Sequence, residues 1–408
     1  MEEKKMIAVF TGNRAEYGLQ FPVLKAIDAH PNLDYKLIVS GAHLDDDFGK
    51  TIQEIQDDGF TIHSQVDIEL DEQRKDSTSK AIGTGIVSMC DALNEIKPDI
   101  LVVYADRFEG FAAVIASTQM NIPTAHIEGG DITEGGALDD SVRHAMTKLA
   151  HLHFTTNQQA SNRILAMGEA SWRVHTVGFP AIDMISENNF ATPTEIQDKY
   201  KIDLNKPIIL FTQHSVTTEF ELSQSQILPS LHALNALASN GVQVFVTFPN
   251  NDAGGKKIID TINEFKPSMH NNVQVHISLG RYFYHGILAL ARNKNLRICC
   301  VGNSSSGIKE TPAFQCPTVN IGSRQQGRLR AENVVDANYQ SNDIQDAINK
   351  CLYDDSFRQI CFGCENPYGE GDAGIKIAEI LSTVNLDGKE ILRKEMLNKG
   401  LERDGWYN

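Results

Sequence analysis

The sequence predicts an α/β protein of two parallel-sheet domains in tandem, facing a central cleft. Three observations lead there. The chain has 408 residues, enough for two domains of ordinary size. Short, continuously apolar runs alternate with longer amphipathic stretches, the rhythm of strands buried on both faces and wrapped by helices. That rhythm breaks near residues 180–190 and then starts again.

In the first half, Met6–Gly12, Tyr35–Gly41, Ile100–Asp106, Thr124–Gly130 and His151–Asn157 read as strands. Leu19–His30, Thr84–Ile96 and Glu109–Met120 read as helices, the second closed by Lys97 and Pro98. In the second half, the strands are Pro207–His214, Val242–Asn250, Val273–Leu279, Leu296–Ser304 and Pro317–Ser323. Helices fall around Gln226–Ser239, Lys256–Phe265, Tyr282–Ala291 and Ile308–Ala313. The expected division is 1–183, 184–371 and a tail, 372–408, that opens with the helical pattern AGIKIAEILSTV.

Composition narrows the function classes. Hydrophobic residues make up 41% and charged residues 22%, ordinary for a globular protein. A net charge of -16 repels phosphate-rich surfaces, so neither nucleic acid nor a membrane is expected as partner. It leaves room for one phosphorylated small molecule held by a few arginines. No apolar run approaches the roughly 20 residues of a membrane span. The start, MEEKKMIAVF, is unlike a signal peptide. The seven cysteines are expected as reduced thiols in the cytoplasm, and Cys361 and Cys364 lack a second ligand pair for zinc.

Paired parallel domains place their chemistry in the turns after the strands. After the first strand, TGNRAEYG contains neither a dinucleotide fingerprint nor a phosphate-binding P-loop. Arg14 offers a planar fork for a phosphate, since at the positive end of a helix an arginine wants an anion. After the third, Asp106 and Arg107 read either as a helix-capping ion pair or as site residues. HIEGGDITEGGALDDSVRHAMTK then brings Glu128, Asp131, Glu134, Asp139 and Asp140 around four glycines, with Asp139, Asp140 or Ser141 capping a helix. The spacing matches no EF-hand. Converging carboxylates instead suit proton transfer to and from carbon, because crowding and burial tune one of them toward neutrality.

The second half opens with FTQHSVTTEF, where His214 follows a strand and is placed to donate to an oxyanion or leaving phosphate. In VGNSSSGIKETPAF, Ser304 and Ser305 sit at the start of an expected helix, an arrangement that offers N–H and hydroxyl donors to an anion. Glu310, about one turn inside, is placed to accept ribose hydroxyls. Arg324, Arg328 and Arg330 follow the next strand. Together these residues describe a nucleoside diphosphate site.

The motifs TGNRAEYG, ADRFE, HIEGG, DDSVRHAMTKLAHLHF, GFPAID, QHSVTTE, FPNNDAG, GNSSSGIKE and GSRQQGR, in this order from about Met6 to Ile380, resemble the hydrolysing UDP-N-acetylglucosamine 2-epimerases of the sialic and legionaminic acid branch. The resemblance implies two Rossmann-like domains in the glycosyltransferase-B arrangement, with the C-terminal helix returning to the first. It implies Asp106, Glu128 and Asp139 as catalytic carboxylates, and His214 as the group that stabilises the departing diphosphate. Arg14, Arg107, Ser304, Ser305, Glu310 and Arg324 would hold the nucleotide. The implied reaction converts UDP-N-acetylglucosamine to N-acetylmannosamine and UDP through 2-acetamidoglucal, without metal or cofactor. The alternative substrate is a UDP- or GDP-linked 2,4-diacetamido-trideoxy sugar. A homodimer or homotetramer is implied. A glycosyltransferase and a non-catalytic nucleotide-sugar sensor are the rival classes. This chain departs from the family pattern at Ala105, where a glycine usually precedes the Asp-Arg pair, and in its longer DITEGGALDD loop.

Overall fold

The computed structural model describes residues 4–44, 51–68, 76–133, 138–250, 253–386 and 390–396. Glu134 of the acidic loop, Asp252 within FPNNDAG and the end of the tail lie outside these. The chain folds as two compact units, one drawn from residues 1–131, 138–184 and 368–408, the other from 132–137 and 185–367.

The first unit contains β1 (Lys5–Thr11), α1 (Arg14–Ala29), β2 (Leu33–Ser40), α2 (Ile52–Asp57), β3 (Ile62–Val66), α3 (Ser77–Ile96), β4 (Ile100–Tyr104), α4 (Phe108–Gln119), β5 (Thr124–Ile127), α5 (Leu138–Leu149), β6 (Leu152–Thr155), α6 (Gln158–Ala166) and β7 (Val174–Thr176). The short α7 (Ala181–Ser186) runs across the division of the chain. All strands pair in parallel in the order β3-β2-β1-β4-β5-β6-β7. β4 and the Ile7–Phe10 stretch of β1 are apolar and buried, as a sheet covered on both faces requires. The chain starts in the middle of the sheet, winds outward through β2 and β3, then returns to β4 on the other side of β1. The turns after β1 and β4 therefore diverge, and the crevice at such a switch point is where open α/β sheets bind ligands.

Local chemistry starts and stops the helices around it. The Asn13 side chain accepts the Glu16 N–H at 3.0 Å and caps α1. The last helix among the described residues, α15 (Ala373–Thr383), packs on α1. A side chain at Gly374 would stand 2.6 Å from the Pro22 carbonyl, so only glycine lets the two helices approach this closely. The Asp183 carboxylate accepts the first N–H groups of α15, from Ala373 and Gly374, at 3.0 and 2.7 Å. At the other end the Lys5 ammonium donates to the carbonyls of Ser382 and Val384. Beyond it, Arg173 donates to the carbonyls of Ile391 and Arg393, each at 2.7 Å, and Lys394 reaches the C-terminal carbonyls of α5.

The second unit contains α8 (Pro193–Tyr200), β8 (Ile208–Thr212), α9 (Ser223–Ser239), β9 (Gln243–Thr247), α10 (Gly255–Phe265), β10 (Val273–His276), α11 (Gly280–Ala289), β11 (Ile298–Gly302), α12 (Ser306–Lys309), β12 (Thr318–Ile321), β13 (Val334–Ala337), α13 (Ser341–Tyr353) and α14 (Asp355–Gly363). Its parallel sheet runs β10-β9-β8-β11-β12-β13, so the switch point falls between β8 and β11. There Gly302 has φ +131°, and a Cβ would stand 1.8 Å from the Thr212 carbonyl oxygen. No other residue fits the close approach of these two strand ends.

Both units are doubly wound α/β, as the sequence predicts. The structure adds β3, β7 and β13, which are edge strands. Their residues alternate or mix polar with apolar, because one side faces no partner strand, and so they lack the continuous apolar run that marks a central strand. The helix expected at Ile308–Ala313 is instead a single α-turn followed by a 3-10 turn at Thr311–Phe314. Pro312 lacks the N–H that would continue an α-helical ladder.

Candidate active site

At the switch point of the first unit, the ends of β1, β4 and β5 carry a crown of acids. Glu128 follows β5, is 7% exposed and holds φ +64°. A left-handed glutamate is strained, and such strain persists where surrounding structure enforces it. Here its N–H is fixed to the Phe154 carbonyl at 2.9 Å. Burial drives the pKa of the Tyr104 phenol well above its usual value, and the facing Glu128 carboxylate adds to this. Ala105 is also left-handed, at φ +55°. Its carbonyl accepts from His126 Nε2 at 2.7 Å, and burial holds that ring neutral by lowering its pKa to about 3.

Asp106 is not the cap of α4; Arg107 occupies that position, without a side-chain cap bond. The Asp106 carboxylate is instead gripped by the buried guanidinium of Arg143. The same fork reaches Asp140 Oδ1 at 2.8 Å and the Asp131 carbonyl at 2.9 Å. A buried arginine shared by two carboxylates keeps Asp106 ionised and aimed, and removing one partner from such a cluster typically costs about 3–5 kcal/mol. Asp139 is exposed and lies with Asp140 in the first turn of α5, where negative charge is favourable.

Two further acids lie behind. Glu16 Oε2 accepts the Gly12 N–H at 3.2 Å, and Oε1 accepts from Gln20 at 2.9 Å. Burial, with the nearby Glu109 carboxylate adding to it, pushes the Glu16 carboxyl up to about 8. Glu109 is raised by burial too, against the pull of Arg107, whose Nε is 3.5 Å away. Burial works against the charge of Arg107, but Glu109, Glu16 and Asp139 together hold its pKa above the ordinary value. Arg14 has the anionic partner that its position calls for, Glu54 Oε2 at 2.8 Å, and both side chains are largely exposed.

The second unit's switch point is built from hydrogen-bond donors around a neutral amide, Asn303. The buried Asn303 side chain accepts the His214 N–H at 2.6 Å and donates to the His214 carbonyl at 2.9 Å, which locks the ends of β8 and β11 together. The Asn250 N–H donates to His214 Nδ1 at 3.1 Å. Nδ1 also lies 3.1 Å from Asn250 Oδ1, so Asn250 meets this nitrogen with both a donor and an acceptor and serves either tautomer of the ring. The Asn303 carbonyl accepts from Gln325 at 2.8 Å and from Arg324 at 3.2 Å. Ser304 and Ser305 lead into α12, while the Ser306 hydroxyl is taken by Tyr284 at 2.6 Å. Glu310 ends that turn rather than lying inside a helix, and its Oε2 is 2.9 Å from His285 Nε2. Arg328 is held by the Ile132 carbonyl and Thr133 hydroxyl, and Arg330 by Asp336.

Asp106, Arg107, Glu128 and Asp139 thus share one end of the first sheet, while His214, Ser304, Ser305 and Arg324 are joined through Asn303 in the second. The sequence reading missed Arg143 as the holder of Asp106, Asn303 as the holder of His214, and the buried acids Glu16 and Glu109. A signal existed for Asn303, a lone amide directly after a strand-ending glycine. Among the described residues no group of three or more His, Cys, Asp or Glu side chains could hold a metal ion.

Two doubly wound units, one ending in acids and the other in small hydrogen-bond donors, define a paired Rossmann-like protein of the nucleotide-sugar class. The sequence profile described as UDP-N-acetylglucosamine 2-epimerase matches residues 25–382, and the chain belongs to that family. It is 33% identical to the hydrolysing UDP-N,N'-diacetylbacillosamine 2-epimerase of Legionella pneumophila, over 96% of this chain and 98% of that one. It is equally 33% identical to the hydrolysing GDP/UDP-N,N'-diacetylbacillosamine 2-epimerase of Campylobacter jejuni, over 97% and 99%. The crystal structure of the Neisseria meningitidis UDP-GlcNAc 2-epimerase bound to UDP-GlcNAc matches the fold with TM-score 0.76 at 22% identity, covering 92% of this chain and 99% of that one.

Proposed function

We propose that the protein hydrolyses a nucleotide-linked 2-acetamido sugar with inversion at C2, releasing the nucleoside diphosphate and a free mannosamine-type sugar. The observation that carries this is Glu128: a buried carboxylate held in a strained backbone at a switch point, among acids on neighbouring strand ends. The C2 hydrogen of such a sugar has no adjacent carbonyl and resists direct removal. Departure of the diphosphate gives C1 cationic character, which acidifies C2. His214, Ser304, Ser305, Arg14, Arg107 and Arg324 stabilise the departing group, and Glu310 holds the ribose. Glu128 takes the C2 proton while Asp106, kept anionic by Arg143, faces the positive charge. Water then adds at C1 of the resulting 2-acetamidoglucal, and Asp139 or its neighbour returns a proton to the opposite face of C2.

UDP-N-acetylglucosamine is the substrate that the motifs imply. The two relatives with 33% identity are named for diacetylbacillosamine, while the Neisseria meningitidis relative named UDP-N-acetylglucosamine 2-epimerase is 29% identical, and this favours the diacetamido substrate as a second reading. Both sugars, UDP-linked, are to be incubated with the protein in deuterium oxide. The expected product is a free sugar inverted at C2 and carrying deuterium there, with UDP released. Product with retained C2 and no label overturns the reading, and the faster substrate decides between the two sugars.

A further inference from the structure

In the second unit a histidine and a glutamate from different elements meet below the surface. His285 lies on the buried face of α11, with a side chain only 7% exposed. Its Nε2 is 2.9 Å from Oε2 of Glu310, whose side chain is 14% exposed. The imidazole is held from the far side by Phe314, ring centroids 5.3 Å apart, and α11 is pinned where Gly286 meets the backbone of Ala191. A carboxylate only accepts, so Nε2 carries the hydrogen of this bond. The other carboxylate oxygen, Oε1, makes no hydrogen bond to a described residue. Glu310 closes the turn that begins at Ser306, immediately after the serines assigned to the diphosphate.

We propose that His285 is a positioning residue for nucleotide recognition: by fixing Oε2 of Glu310 it presents Oε1 to the vicinal hydroxyls of the ribose. This rests on the nucleotide-sugar reading of the site. A free glutamate loses side-chain rotamer freedom when it is ordered. A glutamate already held by a buried ring has met that cost during folding, so the bond to the ligand is formed by a preorganised acceptor. His285 touches no ligand in this scheme. It acts through Glu310, and its effect is confined to the part of the ligand that Glu310 reads.

The test is the ratio of two affinities, measured by calorimetry on the full-length protein with UDP and with 2',3'-dideoxy-UDP. The wild type is expected to favour UDP by about tenfold or more, the range of a hydrogen bond to a charged group. His285→Leu should shrink that preference to within about threefold, through weaker UDP binding with dideoxy-UDP affinity unchanged. His285→Gln, which keeps an N–H donor, should restore most of it. In a Glu310→Gln background, exchanging His285 for glutamine should change the ratio no further. Equal weakening of both ligands by His285→Leu marks a purely structural role and overturns the proposal, as does an unchanged ratio. Should His285→Leu fail to fold, His285→Met, which also lacks the donor, takes its place in the two backgrounds: an unchanged ratio in the wild-type background, or an equal loss in both, overturns the coupling. A wild type that binds both ligands equally, or neither, sinks the nucleotide reading of Glu310 itself, a result distinct from failure of His285 in a protein that does discriminate.

Discussion

At the switch point of the first sheet, buried carboxylates crowd one another: Glu16 is raised to about 8, Glu109 is raised beside it, and Glu128 and Ala105 hold left-handed backbones. At the switch point of the second sheet, the corresponding turns are held by a neutral amide, Asn303, that satisfies both polar groups of the His214 backbone. The fold is the same and the strand order equivalent, yet one end stores electrostatic and backbone strain while the other is relaxed. A rigid, satisfied cradle suits binding an anion that arrives already charged. A strained, crowded group of acids suits moving protons, where a carboxyl must change state near neutral pH.

The contrast breaks most directly at Glu128. Glu128→Gln keeps the shape and removes the carboxylate proposed as the base, so turnover should fall by about a thousandfold or more while UDP affinity stays within a few-fold. Steady-state assay and calorimetry read the two separately. Equal loss of both would place Glu128 among binding or folding residues and erase the division of labour.

Next in size is the pH dependence of the first unit. The Glu16 carboxyl sits near 8 when folded against 4.5 in the open chain. Because its folded value is raised, its contribution is fully present below about pH 4.5 and is lost as pH climbs through 8. Stability of the wild type should therefore decline across that window. Glu16→Gln should remove the Glu16 share of the slope and be the more stable protein at pH 9, by roughly a few kcal/mol. Chemical denaturation at pH 5 and pH 9 checks it, and parallel slopes for the two proteins would mean that Glu16 does not carry the strain.

In the relaxed unit, the corresponding change is Asn303→Ala. It leaves the His214 N–H and carbonyl without their partner, which should cost about 2 kcal/mol of stability and loosen UDP binding. The sharpening comparison is kcat at saturating substrate, which should suffer far less than in Glu128→Gln.

The sheet rhythm and most strand-end residues were readable because central parallel strands announce themselves as unbroken apolar runs, as in MIAVF and ILVVY. Asp106, Glu128, His214 and Ser304 could be found by looking just past those runs. What holds them was not readable. Arg143 reaches Asp106 across 37 positions of sequence, and Asn303 reaches His214 across 89, so only the register of the sheets brings them together. The Glu16–Glu109 pair was hidden because both acids look like ordinary first-turn helix residues, and burial alone distinguishes them from solvated ones.

The smallest expected effect concerns Ala105, the left-handed residue just before Asp106. Its φ of +55° is a conformation in which a Cβ costs about 1 kcal/mol, and both its polar groups are committed, the N–H to the Ile127 carbonyl at 3.0 Å and the carbonyl to His126. Ala105→Gly relieves that cost, but the unfolded chain gains freedom worth roughly 0.5–1 kcal/mol, which offsets much of the gain. The net should be a stabilisation between zero and about 0.5 kcal/mol, a rise in melting temperature of about 2 °C at most for a unit of this size. The two left-handed residues separate strain from chemistry. Ala105→Gly relieves backbone strain beside Asp106 and should leave kcat within a few-fold, whereas Glu128→Gly relieves the same kind of strain and should abolish turnover. Were Ala105→Gly to destabilise the protein, the methyl group would be packing favourably where the backbone argument sees only cost, and the strain in the first unit would reside in its acids alone.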